Sequence, residues 1–376
     1  KTLVALAVLV ALTATASAGV TPTFYGYIKL DASLDSAMTD AGDYAYIVLP
    51  YAEGEEDDEF NMTAKQTRLG MKLEGPEADN VELSGLVEFD LYGGGAENKP
   101  NPMLRHAYLV MRFPAVEVLA GQTWDLIAPL NPSTLNYIVM WKSGNIGYRR
   151  PQIRLSKTMK LAEGAKVMAA ASINRNMGLD QDGEDSGMPS FQGRLAFGKK
   201  IVGGTAMLGV SGVWGQQESD EFDTDFDRTG VAVDLSLPLG PMVSVKGEYF
   251  TGKNLGVHLG GIGQSIAEVE MVEETRFIEA SEVEASGWWG QLTVRPDEAL
   301  QFNVGAGSDD PELPSGDTAN NLEKNTTYFG NVIWTVAPSA SIGAEYAMHE
   351  TEYLLEGGET ESYENSRVQL SFMYKF

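Results

Sequence analysis

The densest run of cationic side chains in the sequence is GYRRPQIRLSK, residues 147–157. In an extended strand alternate residues share a face, so Arg150, Gln152 and Arg154 stand together. A guanidinium presents a rigid fork of donors that grips carboxylate or phosphate. A row of such groups on a pore wall biases passage toward anions. Assigning polar residues of other strands to the same inner face adds Lys29, Arg68, Lys72, Lys166, Arg194, Arg228, Lys246 and Arg367. Against them stand Asp31, Glu82, Glu88, Asp90, Asp234, Glu248 and Glu345. The inventory is mixed and slightly basic. A competing reading pairs the arginines with Glu88, Asp90 or Glu248 and makes them wall-holding ion pairs.

Other chemistries find little support. The chain has no cysteine, which excludes thiolate metal sites, Cys nucleophiles and disulfides. The three histidines, His106, His258 and His349, have no zinc-site spacing. No GxSxG nucleophile elbow occurs, and the glycine-rich GGIGQ at 260–264 lacks the lysine of a phosphate cradle, so it reads as plain loop. No cofactor and no enzyme activity are expected. A formal charge of −26 argues against a nucleic-acid partner.

The elements that must carry these residues are strands. Residues 1–18 read as a secretory signal peptide, an apolar run followed by Ala16-Ser17-Ala18, with cleavage before Gly19. The remainder, 19–376, shows period-two alternation in about sixteen segments between 23 and 376. In YIKLDASLD, Ile28, Leu30 and Leu34 oppose Lys29, Asp31, Ser33 and Asp35. Links between segments alternate short and long. EGPEADN, FPAV, IVGG, PLGP, RPDEAL and APSA are short; 36–66, 127–144, 253–283 and 310–323 are long. That alternation predicts an all-β fold: a transmembrane antiparallel β-barrel of about sixteen strands in the outer membrane, apolar outside and polar inside. Aromatics near strand ends (Phe24, Trp124, Tyr148, Trp214, Tyr249, Trp288, Trp334, Tyr374) would form the interfacial girdles.

Charge sorts with the long links. Residues 36–66 hold eight acids and one base, and together with the links 178–188, 219–225, 253–283, 310–323 and 355–360 they account for −25 of the net charge. Solubilisation explains this simply; bridging by divalent cations to lipopolysaccharide of the anionic outer leaflet is the sharper reading. The third link differs. IAPLNPSTLNYIVMWKSG carries Lys142 alone as a charge, with Leu130, Tyr137 and Trp141 among its apolar residues. Such a loop is poorly placed in water, so it is expected to fold inward and narrow the barrel. The chain ends VQLSFMYKF, with Phe372, Tyr374 and Phe376 on one face. Backbone groups in hydrocarbon must all pair, so this strand is expected to close the barrel against the first. Its terminal aromatics would also serve as the signal read by the barrel-assembly machinery.

TFYGYIKLDASLD, HAYLVMRFPAVEVLAGQTWDL, RRPQIRLSK and the terminal F-x-Y-x-F resemble the DcaP-like outer-membrane porins and, more distantly, the phosphate-selective porins. The resemblance implies a homotrimer of sixteen-stranded barrels that passes small anionic solutes, dicarboxylates among them. Two alternatives from other classes are a structural or adhesion barrel with a plugged lumen, and a conduit barrel that houses a partner protein.

Overall fold

A computed structural model of the chain describes residues 19–52, 54–76, 80–176, 187–219, 222–272, 276–314, 316–317, 320–355 and 357–376. The expected signal peptide and most of the acidic link 178–188 lie outside the described residues. The strands are β1 (Thr21–Asp35), β2 (Glu59–Thr63), β3 (Arg68–Glu74), β4 (Glu82–Asp90), β5 (Met103–Arg112), β6 (Glu117–Trp124), β7 (Arg149–Lys160), β8 (Ala165–Asn174), β9 (Ser190–Ile201), β10 (Gly204–Ser219), β11 (Thr224–Pro238) and β12 (Val243–Lys253). They continue with β13 (Ile266–Val272), β14 (Arg276–Glu282), β15 (Glu284–Val294), β16 (Leu300–Glu312), β17 (Leu322–Ala337), β18 (Ala340–Leu354) and β19 (Thr360–Lys375).

All but β13 and β14 form one antiparallel sheet, and β1 pairs with β19 to close it. Both β2 and β3 pair with β1, one with each half, so they are two parts of a single traverse and the barrel has sixteen. Closure is a physical requirement. An open edge would leave N–H and C=O groups unpaired in hydrocarbon. At the seam Gly26 and Phe376 exchange both backbone hydrogen bonds at 3.1 Å. Gly26 must lack a side chain, because a Cβ there would lie 2.2 Å from the Arg68 carbonyl oxygen.

Alternation puts the apolar positions outside. Ile28 is 58% exposed and Leu34 52%, whereas Lys29 and Asp35, the residue after each, are 2% and 0% exposed. Val231, Val233 and Leu235 are likewise exposed, with Ala232 and Asp234 buried. The short link IVGG is a tight turn. Ile201 pairs with Gly204, leaving Val202-Gly203 as a two-residue turn in which Gly203 takes φ +91°.

Three features depart from the expectation. The first long link contains β2, whose alternation is only five residues long and sits among acids. The link 253–283 contains the hairpin of β13 and β14, preceded by two buried 3-10 turns, Gly256–His258 and Gly261–Gly263, so GGIGQ is a built element and not plain loop. Trp124 and Tyr148 do not join the outer girdle: their rings pack on the Arg149 guanidinium, 4.7 Å from each centroid. Phe24, Trp214, Tyr249, Trp288, Trp334 and Tyr374 are exposed as a girdle requires.

Candidate functional site

The segment between β6 and β7, residues 125–148, has almost no regular structure, and its backbone is held by wall side chains in a regular succession. Leu126 N–H donates to Gln192 of β9 (2.6 Å) and Ala128 N–H to Ser211 of β10 (3.2 Å). Leu130 N–H reaches Glu248 of β12 (2.7 Å), and Ser133 N–H reaches Gln291 of β15 (2.6 Å). Leu135 and Asn136 N–H donate to the two oxygens of Glu345 on β18 (2.7 and 3.2 Å). Gln369 of β19 and Lys29 of β1 each donate to the Leu135 carbonyl at 3.1 Å. Tyr137 Oη then donates to Asp90 of β4 (3.1 Å) and accepts from Arg105 of β5 (3.2 Å). From residue 126 to 137 the partners follow the order of the strands around the closed sheet, with strands such as β11, β16 and β17 passed over in this series.

The segment is also strained. Ala128, Val139, Met140 and Lys142 have positive φ, a conformation that surrounding contacts must impose on non-glycine residues. Gly144 turns at φ +94° where a Cβ would lie 2.0 Å from the Trp288 carbonyl oxygen. Trp141 is 2% exposed and Leu130 packs against Met140, Trp289 and Phe329. These apolar contacts explain how a nearly uncharged loop is accommodated.

The cations on the wall divide into two sets. Arg150 lies 2.6 Å from Asp125, Arg194 makes a two-pronged pair with Asp234, and Arg367 lies 3.3 Å from Asp35. Lys29 lies 3.1 Å from Asp31. Arg105 binds Glu88 and Asp90, and Arg68 shares Glu88 at 3.4 Å while its guanidinium lies 5.1 Å from the Tyr27 ring centroid. Ion pairing therefore describes Arg150 and Arg194, with Asp125 and Asp234 as partners.

The second set has no carboxylate within 4.0 Å among the described residues. Arg154 donates to the Trp124 carbonyl and to Gln152 Oε1 (2.9 Å). Gln152 in turn donates to the Thr123 and Trp124 carbonyls, both at 3.1 Å. Lys246 Nζ donates to the Asn131 carbonyl (2.6 Å) and Ser133 Oγ (3.1 Å). Lys72 stands 5.2 Å from the Tyr25 centroid, and Lys142 stands 4.9 Å from that of Tyr46.

The first long link also meets this segment. Tyr44 lies 5.9 Å from Tyr137, which stacks on Tyr92 at 3.9 Å. Asn136 donates to the Ala45 carbonyl at 3.4 Å, and Arg367 donates to the Gly42 carbonyl at 3.3 Å. Part of the acidic link is thus spent on internal contacts, including Asp43 with Lys65 at 2.6 Å. Arg105 escaped the alternation count because it is the extra residue of a bulge between the Glu88 and Phe89 pairings. Asp125, the first residue past β6, carried no pattern of its own. Among the described residues no three His, Asp or Glu side chains gather as a metal site.

The sequence model of the Gram-negative porin family matches residues 5–353. The chain belongs to that family. Among solved structures, this porin is similar to the outer membrane channel DcaP of Acinetobacter baumannii, at 20% identity and TM-score 0.77 over 96% of this chain and 98% of that one. It is also similar to an anion-selective porin from Comamonas acidovorans (11%, TM-score 0.60, 95% and 100% covered) and to OmpT of Vibrio cholerae in its trimer form (12%, TM-score 0.56, 95% and 100% covered). No curated protein matches the chain. The porin is an outer-membrane β-barrel channel for diffusion of small solutes, and it is not an enzyme.

Where the porin's segment 125–148 leaves and rejoins the wall, it is bolted by a buried trio. His258 Nδ1 lies 3.1 Å from Asp125 Oδ2 and 3.0 Å from Arg150 Nη2. Burial, then the Arg150 charge, lowers the His258 pKa to about 4. Burial opposes the Asp125 charge, but Arg150 and His258 outweigh it and hold the carboxyl below its ordinary range. Both shifts have the same consequence. A histidine whose folded pKa lies below the unfolded value contributes fully above about pH 6.5 and loses that contribution as pH falls toward its folded pKa. The Asp125 contribution disappears at still lower pH. The bolt is therefore expected to weaken between about pH 6.5 and 4, seen as increased current noise or closure in bilayer recordings. His258→Gln should flatten that dependence, and an unchanged pH profile in the variant would remove the histidine from the account.

Proposed function

We propose that the protein is a passive channel with a preference for small anionic hydrophilic solutes, of dicarboxylate-like or phosphate-like character. The observation that carries this reading is the second set of cations. Arg154, Lys246, Lys72 and Lys142 lie on or beside the inner wall without carboxylate partners among the described residues, while most inner acids are matched by arginine or hold loop amides. Arg150 and Arg194 belong to the same basic wall but act chiefly as anchors. The similarity to a porin named as anion-selective points the same way.

In this reading the third external loop is folded inward and forms the constriction, with Leu130, Tyr137, Trp141 and Lys142 on it and Arg68, Gln152 and Arg154 on the wall. The similarity to a porin solved as a trimer supports a homotrimer. Residues 1–18 act as a cleaved export signal, and the acidic outer loops face lipopolysaccharide. The reading as a conduit for a housed protein is disfavoured by the hydrogen bonds that tie segment 125–148 to inward side chains of β9, β12, β15 and β18. Reversal-potential measurement in a salt gradient tests the anion preference.

Phe372, Tyr374 and Phe376 are 47%, 55% and 53% exposed on the outer face of the closing strand, where an assembly factor could read them. Deleting Phe376 is expected to reduce the folded fraction in the outer membrane by about tenfold while leaving the conductance of inserted channels unchanged, since only one rung of the seam is lost. Heat-modifiable mobility on gels, compared with single-channel size, separates the two effects. Normal insertion would show the tail to be strand alone.

A further inference from the structure

Among the described residues, six arginines are 5% exposed or less: Arg105, Arg149, Arg150, Arg194, Arg228 and Arg367. Four are neutralised by carboxylates. Arg228 is held by neutral oxygens of Asn254, Asn176 and Gln217. Arg149 differs from all of them. It is 1% exposed, and none of its three guanidinium nitrogens has a hydrogen-bond partner among the described residues. What surrounds it is aromatic: Trp124 and Tyr148 with centroids at 4.7 Å and Trp141 at 5.9 Å.

A guanidinium stays protonated in proteins. Aromatic faces stabilise such a cation without cancelling its charge, as a carboxylate would. The Arg149 field is therefore not compensated locally, and burial limits its screening by salt. At the third loop, burial pushes the Tyr137 pKa up, and the Arg105 charge first and the Arg149 charge second act against that rise. Tyr137 is only half-buried, beside Tyr92 and Tyr44.

We propose that Arg149, caged by Trp124, Tyr148 and the loop residue Trp141, is a selectivity-determining residue of the channel, supplying an uncompensated positive potential without touching solute. The proposal rests on the channel reading above. It also assigns the aromatic cage a purpose that an outer-membrane girdle would not need. Trp124 and Tyr148 keep water and acids away from the guanidinium, and Trp141 links the charge to the position of the loop.

The test uses full-length protein in planar bilayers under a KCl gradient. Arg149→Gln is expected to lower the chloride-to-potassium permeability ratio by about two-fold or more, with single-channel conductance nearly unchanged. Arg149→Lys should retain the ratio at neutral pH and lose it as the lysine deprotonates at alkaline pH, to an extent that the wild-type protein, with its permanent guanidinium, does not show. The lysine variant preserves the test even if the glutamine variant does not fold. An unchanged ratio in Arg149→Gln, an equal loss in both variants at neutral pH, or identical alkaline profiles for Arg149→Lys and wild type would each overturn the proposal. The sign of the wild-type reversal potential bears only on anion preference; the difference between variant and wild type bears on Arg149.

Discussion

Replacing Glu345 with alanine is expected to free the middle of the third loop and give larger, noisier single-channel currents. Its carboxylate receives Leu135 N–H, Asn136 N–H and the Asn331 amide at 2.7, 3.2 and 2.7 Å. Each buried donor left without an acceptor costs about 1–3 kcal/mol. Two stranded loop amides therefore shift the balance between seated and released loop by roughly a hundred-fold, since about 1.4 kcal/mol is a factor of ten. Strain in the loop acts in the same direction, because Val139, Met140 and Lys142 hold positive φ only while the loop is seated. Glu345→Gln keeps one acceptor oxygen and should show a smaller effect. Currents identical to wild type in the alanine variant would mean that the loop does not depend on this anchor.

Removing the charges of Arg154 and Lys246 together is expected to act on selectivity and leave channel size nearly alone. Neither has a carboxylate partner among the described residues, and each is held by neutral carbonyl, amide or hydroxyl oxygens, so Arg154→Gln with Lys246→Gln strands no described buried acid. A unit charge several ångströms from a passing ion contributes about 1 kcal/mol at a dielectric between protein and water, reduced by salt. The pair should therefore lower the chloride-to-potassium permeability ratio by about three- to ten-fold. Arg150→Ala behaves differently. It leaves Asp125 buried without its cation, a loss that is strongly destabilising, so poor folding or a loose loop is expected in place of a clean selectivity change. A double variant with an unaltered ratio would remove Arg154 and Lys246 from the selectivity account.

The strand order and the inner face were largely legible because two-residue alternation is a local property. Ile28, Leu30 and Leu34 against Lys29, Asp31 and Asp35 state the orientation of β1 without any knowledge of its neighbours. Closure followed from the same logic, since hydrocarbon admits no free edge. The unusual composition of the third link also marked it. What holds it was not legible, because Gln192, Glu248, Gln291 and Glu345 are spread across more than 150 residues and each looks like any other inward polar residue. Which arginine meets which acid depends on register: Asp234 faces Arg194 only through the pairing of β9, β10 and β11. Arg105 was hidden by a bulge, which shifts parity by one. Arg149 was hidden for a related reason. It opens β7 beside Arg150, and nothing local shows that aromatic rings from two strand ends and a loop converge on it.

The central claim is a passive channel that favours anions past a seated third loop, and single-channel recording of the wild-type protein in a KCl gradient tests it most directly. The account predicts discrete, ohmic current steps with a reversal potential displaced toward the chloride equilibrium potential. An absence of steps, or a displacement toward the potassium equilibrium potential, would contradict it.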